Sequence, residues 1–252
     1  MATTSGSYDF STNRDGIITR ALRIVGAIGQ GETAPAEAIT EGAEALNDLI
    51  KEWQADGMPL WTLKEYSFTP TSGTNPYNIG VGLAAPHVND VAPLKILQAR
   101  TRDSSSNTDT PILLITRQEY NMFGAKLTEG TPTLMWYTPP GNMSGGLHTG
   151  VITLYPVPDD HAQTYHTYYF TGQKPFEDFD ASTDVPDFPQ YWYNAVKWGL
   201  ADQLSYEYGV GLAERSMISK KAQYHKDMAL SFGQEEGSLR IQPQPSWDWE
   251  SY

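Results

Sequence analysis

Five carboxylates crowd residues 177–187: Glu177, Asp178, Asp180, Asp184 and Asp187, interleaved with or flanked by Phe176, Phe179 and Phe188. A pair of carboxylic acids can hydrolyse a glycosidic bond when apolar surroundings keep one protonated and leave the other ionised. The phenylalanines could supply that setting. The plainer reading, a solvated linker between a strand region and a helix or a weak cation site, is the favoured one. Five histidines (His87, His148, His161, His166, His225) show no HxxxH or HxxE spacing, and the chain has no cysteine. Zinc needs three or four converging ligands, so each histidine reads as a surface or partly buried residue. Without cysteine there are no disulfides and no thiol nucleophiles. The sequence holds no Gly-x-Ser-x-Gly elbow and no Walker loop. Gly26, Gly29 and Gly31 follow a helical pattern instead of joining a strand to a helix N-terminus, so they read as a helix stop and not a phosphate cradle. Asn142-Met143-Ser144 is a sequon with no secretory signal to give it meaning. No cofactor, no metal and no catalytic residue are expected.

Thirty acidic residues against seventeen basic ones give a net charge of −13. The excess is spread along the chain, −5 over residues 1–57, −5 over 58–185 and −3 over 186–252. Affinity for a phosphate backbone comes mainly from Lys and Arg displacing counterions, so tight binding of nucleic acid by bulk charge is not expected. Residues 1–13 lack a basic segment followed by an apolar one, and read as a flexible N-terminus without a signal peptide. The uncharged stretch 133–158 is broken by Pro139, Pro140, Gly141, Gly145, Gly146, Gly150 and Pro156, so it is no membrane span.

The elements that position these residues fall into three groups. Ile17, Ile18, Ala21, Leu22, Val25 and Ile28 repeat at helical spacing over Asp15–Ile28, with Thr12 and Asp15 as the capping pair and Gly29 and Gly31 as the stop. A second helix starts after Thr33 with Pro35 in its first turn, carries Ile39, Ala43, Leu46, Leu49, Ile50 and Trp53, and stops at Asp56-Gly57-Met58-Pro59. An isolated pair of helices could not hold that apolar surface against conformational entropy, so more helix must pack on it. Short β-branched and aromatic runs follow at 61–69, 94–100, 112–115, 133–138, 151–155 and 163–170, separated by Pro, Gly, Asn and Ser. A short helix is expected at 116–123 between two of them. Helices return after Pro186, with Asp187 as cap: Trp192, Ala195, Val196, Gly199, Leu200 and Leu204 form one stripe ending at Gly209. Ile218, Ala222, His225, Ala229 and Phe232 form another over Leu212–Phe232.

The expected fold is therefore α+β. A discontinuous antiparallel helical bundle from the N- and C-terminal parts (14–58 and 186–233) carries an inserted antiparallel, β-sandwich-like domain (59–185). Its core is expected to include Leu22, Leu46, Ile50, Trp53, Trp192, Leu200 and Leu204. Residues 234–252 cannot bury their own aromatic side chains and read as an extended tail. Trp247, Trp249 and Tyr252 favour a partner-binding role for it, because Trp and Tyr carry interface energy.

Two blocks also resemble a known family. The first is Ile17-Ile18-Thr19-Arg20-Ala21-Leu22-Arg23-Ile24-Val25-Gly26-Ala27-Ile28, followed by Ala45-Leu46-Asn47-Asp48-Leu49-Ile50-Lys51-Glu52-Trp53-Gln54-Ala55-Asp56-Gly57. The second is Phe188-Pro189 through Trp192, then Leu200-Ala201-Asp202-Gln203-Leu204-Ser205-Tyr206-Glu207-Tyr208-Gly209. Together they resemble the head-to-tail adaptor proteins of short-tailed bacteriophages, also called tail accessory factors or tubular tail proteins A. The resemblance implies a structural virion protein without turnover. Such a protein forms a ring, commonly of twelve copies, beneath the portal protein at the capsid vertex, extends the DNA channel and supports the tail nozzle and fibres. It also implies that the C-terminal segment 238–252 reaches the portal, with Leu239, Arg240, Ile241, Trp247, Trp249 and Tyr252 as the interface. DNA would pass through without tight binding, repelled by the acidic excess. Two alternatives from other classes are a virion-associated protein that binds or cleaves cell-wall glycan through the β-region and residues 177–187, and a capsid-decorating β-domain.

Overall fold

The computed structural model describes residues 6–7, 10–56, 62–141 and 149–232. Two helices open the chain, α1 (Arg14–Ile24) and α2 (Ala36–Ala55). Thr12 is the cap expected from sequence, but the structure uses Asn13, whose side-chain oxygen accepts the Gly16 N–H at 3.0 Å. α1 also stops four residues before the expected Ile28. Gly26, at φ +74°, takes the left-handed position. The Ala27 N–H donates to the Leu22 carbonyl at 3.0 Å and the Gly26 N–H to the Arg23 carbonyl at 3.2 Å. This double closure makes Gly26, not Gly29 or Gly31, the stop. Of the stop expected for α2, only Asp56 lies within the described residues, where its N–H donates to Glu52.

Ten strands and two short helices follow: β1 (Leu63–Phe68), β2 (Tyr77–Gly80), β3 (Val88–Asn89), β4 (Lys95–Asp103), β5 (Thr108–Leu114), α3 (Arg117–Met122), β6 (Glu129–Gly130), β7 (Leu134–Thr138), β8 (Gly150–Tyr155), β9 (Val157–Pro158), α4 (Asp160–Tyr165) and β10 (His166–Gln173). The strand expected from Gln163 begins only at His166. Asp159 captures the Ala162 N–H at 2.8 Å and turns 160–165 into a helix first. Eight strands form one sheet in the order β1-β10-β4-β5-β7-β8-β2-β3. It is mostly antiparallel, and not wholly so as expected: β5–β7 and β2–β3 run parallel, as does the separate pair β6–β9. The physical reason for β5–β7 is the crossover between them, where the Thr116–Glu119 capping box starts α3 and carries the chain back before β7 begins. The sheet curls on itself. β1 and β2 are six places apart in strand order, roughly 29 Å in a flat sheet at the usual strand spacing, yet the Phe68 and Tyr77 rings are 5.0 Å apart. Tyr66, Tyr77, Ile79, Met135, Ile152, Leu154, Tyr168 and Phe170 fill the enclosed space.

A 3-10 turn at Gln190–Trp192 leads into α5 (Tyr193–Glu207), and α6 (Leu212–Phe232) ends the described chain. Gly209, at φ +64°, closes α5, with the Val210 N–H on the Ser205 carbonyl at 3.1 Å. α5 packs against α1, α2 and α6. One core joins the two ends of the chain, and Leu22, Leu46, Ile50, Trp53, Trp192, Leu200 and Leu204 are all buried in it. Trp53 and Trp192 meet edge to face at 5.5 Å. Close approach is set by small residues, Gly42 facing Ile18 and Gly199 facing Trp53 and Leu49. The stripe expected on α6 is only partly inward. Ile218, Ala222 and Ala229 are buried, whereas Phe232 is 75% exposed and touches Tyr191 edge-on.

Candidate assembly surfaces

The acidic segment is a strap across the helices. Its phenylalanines, 176, 179 and 188, are buried in the helical core, while its carboxylates stay outside. Polar residues of α2 bind the strap's backbone. Gln54 Oε1 accepts the Phe176 N–H at 3.0 Å, Asn47 Oδ1 accepts the Phe179 N–H at 2.9 Å, and Lys51 Nζ donates to the Phe176 carbonyl at 3.2 Å. Lys51 also pairs with Asp178. Asp184 accepts the N–H groups of Asp180 (2.9 Å) and Ala181 (2.6 Å), and its carbonyl receives the Arg14 N–H at 2.8 Å. Lys174 sits between Asp187 (2.9 Å) and Glu177 (3.3 Å); its hydrogen bond to Asp187 is the main cause of a raised ammonium pKa. A cleft of about 180 Å³ remains between strap and α2. Glu177, Asp178, Asp184 and Asp187 are thus occupied in pairing and turn formation, and the phenylalanines expected to surround the acids are buried in the helical core. Asn47, Lys51 and Gln54 are the partners that hold the strap, and the sequence did not single them out for it. Their only signal was three polar residues spaced along a helix that buries most of its other side.

On the sheet, Tyr168 and Phe170 point into the core and Tyr169 points out. The guanidinium groups of Arg100 and Arg102 lie 4.8 Å and 5.4 Å from the Tyr169 ring. Arg102 grips Asp109 through two hydrogen bonds, at 2.6 Å and 2.7 Å, and Arg100 reaches Glu65 at 2.6 Å. This outer network ties four neighbouring strands together and covers the exposed ring. The histidines do not converge as a set: His161 and His166 meet with ring centroids 5.3 Å apart, and His87 and His225 lie elsewhere. His87 accepts the Asn78 N–H at 3.2 Å, His166 lies 3.3 Å from the Thr101 hydroxyl, and His225 stacks on Trp198. His148 lies outside the described residues. Among the described residues no group of three or more His, Asp or Glu could hold a metal ion, and no helix is long and apolar enough to cross a membrane.

Several large apolar side chains remain exposed. α6 presents Met217, Tyr224 and Met228 at 67%, 63% and 46% exposure. The tip around α3 presents Met122 and Leu127 at 78% and 88%. The expected portal contacts Leu239, Arg240, Ile241, Trp247, Trp249 and Tyr252 all lie outside the described residues.

A curled sheet is spliced between helices that share one core, and apolar side chains are left exposed on its outer elements. The model of the SU10 adaptor protein family matches residues 12–242. The chain belongs to this family. No curated protein matches the sequence. Membership in the SU10 adaptor family bears out the resemblance to phage head-to-tail adaptors and extends it over both the helices and the sheet. It implies a structural, non-enzymatic role as a virion component associated with other phage proteins.

Proposed function

We propose that this chain is the head-to-tail connector of a short-tailed phage. Copies close into a ring, twelve in number, seated between the portal protein and the tail nozzle or fibres, so that the DNA channel continues through it. The observation that carries this reading is the family match over residues 12–242. The architecture supports it, because helices from both ends of the chain share one core and the inserted sheet is free to face a different partner. The charge supports it as well. A channel for sliding DNA must not grip phosphate, and a chain at −13 repels the duplex on average. In this reading segment 238–252, through Leu239, Arg240, Ile241, Trp247, Trp249 and Tyr252, docks on the portal, and the helical core built on Leu22, Leu46, Ile50, Trp53, Trp192, Leu200 and Leu204 forms the wall.

The test is to mix purified chain with the cognate portal and image the product in negative stain. A coaxial stack of two rings is expected. Bare portal rings with the chain left free would refute the connector reading, and clearing of a peptidoglycan zymogram by the pure protein would refute its non-enzymatic part.

A further inference from the structure

The curled sheet does not close. β1 and β3 are its two ends, and no strand among the described residues pairs with the outer edge of either. Between them runs a groove of about 440 Å³, with residues 65–69 on one wall and 85–90 on the other. Two contacts bridge it. Lys64 Nζ meets Asp90 at 2.7 Å, and the Phe68 ring lies 5.0 Å from that of Tyr77.

The phase of the β1–β10 ladder fixes which backbone groups face this groove. The Thr62 carbonyl accepts from the Lys174 N–H and the register is unbroken after it, so Lys64, Tyr66 and Phe68 are the residues that bond to β10. The N–H and C=O groups of Glu65 and Ser67 point the other way, and among the described residues no hydrogen bond reaches them. An open edge of this kind is a template for one more strand. Along it Tyr66 and Phe68 are buried, whereas Glu65 and Ser67 are exposed. A strand that fits is therefore short and apolar at every second position.

The chain holds such a segment. Ser238-Leu239-Arg240-Ile241-Gln242 alternates polar and apolar residues, and Pro243, which has no N–H, ends the run. It belongs to the twenty residues that follow α6, outside the described part. Those residues set out from the side on which β1 begins. Phe232 touches Tyr191, Asp187 four residues earlier is held by Lys174, and the Lys174 N–H is bonded to Thr62 just ahead of β1. Tyr191 and Asp187 are at most about 14 Å of chain apart, while residues 233–242 extend to roughly 35 Å.

We propose that in the free chain residues 238–242 add to the open edge of β1 as a further strand, and that the portal draws them off it. Leu239 and Ile241 turn inward over the groove and Arg240 outward beside Ser67. The inference deepens the connector reading, since it gives the segment proposed to reach the portal a resting place before assembly. A covered edge also keeps free copies from pairing edge to edge.

Amide exchange in the full-length chain reads the edge directly. The Glu65 and Ser67 N–H groups should be protected in wild type and exchange at least about tenfold faster in Leu239→Asp/Ile241→Asp. The Tyr66 and Phe68 amides, which face β10, should stay unchanged and show that the sheet is intact. The chain has no cysteine, so Ser67→Cys/Arg240→Cys oxidised at low concentration should form a disulfide within one chain. Ser67→Cys/Ser251→Cys should form far less. Glu65 and Ser67 amides that exchange freely in wild type, or that ignore the tail substitutions, would overturn the proposal. So would a disulfide found only between chains, one no more abundant than in the Ser251 control, or edge amides still protected on portal-bound chain. Free edge amides in a chain that nevertheless stacks on the portal would leave the connector reading intact. Protected ones in a chain that the portal never binds would sink that reading and leave the added strand standing.

Discussion

The crossing of α1 and α2 turns on a single missing methyl. A Cβ added to Gly42 would collide with the Cγ2 of Ile18, which is fully buried. Ile18 is β-branched within a helix and holds one side-chain rotamer, so that methyl cannot swing aside. In Gly42→Ala the helices must therefore part or Ile18 must strain, at about 1–3 kcal/mol for one excess methyl in a packed core. Alanine's better helix propensity returns about 1 kcal/mol. The net expectation is a loss of up to about 2 kcal/mol, where the same substitution on an open helix face would stabilise by about 1 kcal/mol. Ile18→Ala removes the obstructing methyl and should cost about 2–5 kcal/mol by itself. In the double variant the new alanine occupies part of the vacated space, so the loss should fall short of additivity by about 1–3 kcal/mol. Urea unfolding followed by tryptophan fluorescence reads this directly, because Trp53 and Trp192 lie in the same core. The midpoint should move with little change in slope. A Gly42→Ala protein more stable than wild type, or an additive cycle, would refute the close approach.

Three further outcomes are expected. Asn13→Ala removes the acceptor of the Gly16 N–H and should cost about 1 kcal/mol in the same unfolding assay. Hydrogen bonds from the Ser105 hydroxyl and N–H hold the Asp103 carboxyl down to about 2. Its folded pKa is below its unfolded one, so the turn it braces contributes stability above the ordinary carboxylate range, near pH ~4, and loses it as pH falls toward 2. A carbon-detected NMR titration should show Asp103 moving up toward ordinary values in Ser105→Ala. Truncation after Gly237 removes the segment proposed to reach the portal; portal binding should vanish in co-sedimentation while the circular dichroism of the remainder is retained.

The helices were legible because their signals are local. The 3.6-residue stripe of α6 gave its span, Leu212–Phe232, and Gly209 gave the end of α5. Where sequence and structure part, a competing local bond decides. Asn13 outcompetes Thr12 for an amide, Gly26 reaches the left-handed cap before Gly29, and Asp159 coils residues 160–165, the last three of which the sequence pattern assigns to a strand. The parallel β5–β7 pairing was not legible, because strand direction depends on a crossover whose two ends are far apart in sequence. The acidic strap was misleading for a related reason. Glu177 to Asp187 and the three phenylalanines are neighbours in sequence, but the segment is irregular, so no fixed period dictates which side chains share a side. Its phenylalanines are drawn into the core, and its acids are met by Lys51 from α2 and by Lys174 at its own start.

Leu63 is paired with Gln173, and the Lys174 N–H donates to the Thr62 carbonyl at 2.7 Å. The chain thus departs into the sheet and comes back from it through one doorway, two adjacent antiparallel strands wide. Exchanging, lengthening or shortening what lies between those posts is expected to leave α1, α2, α5 and α6 in place, which circular dichroism and unfolding of a shortened insert would check. Lineages that share the helical frame could thereby meet new tail hardware by replacing the insert alone, and the same doorway offers a grafting point for a foreign domain.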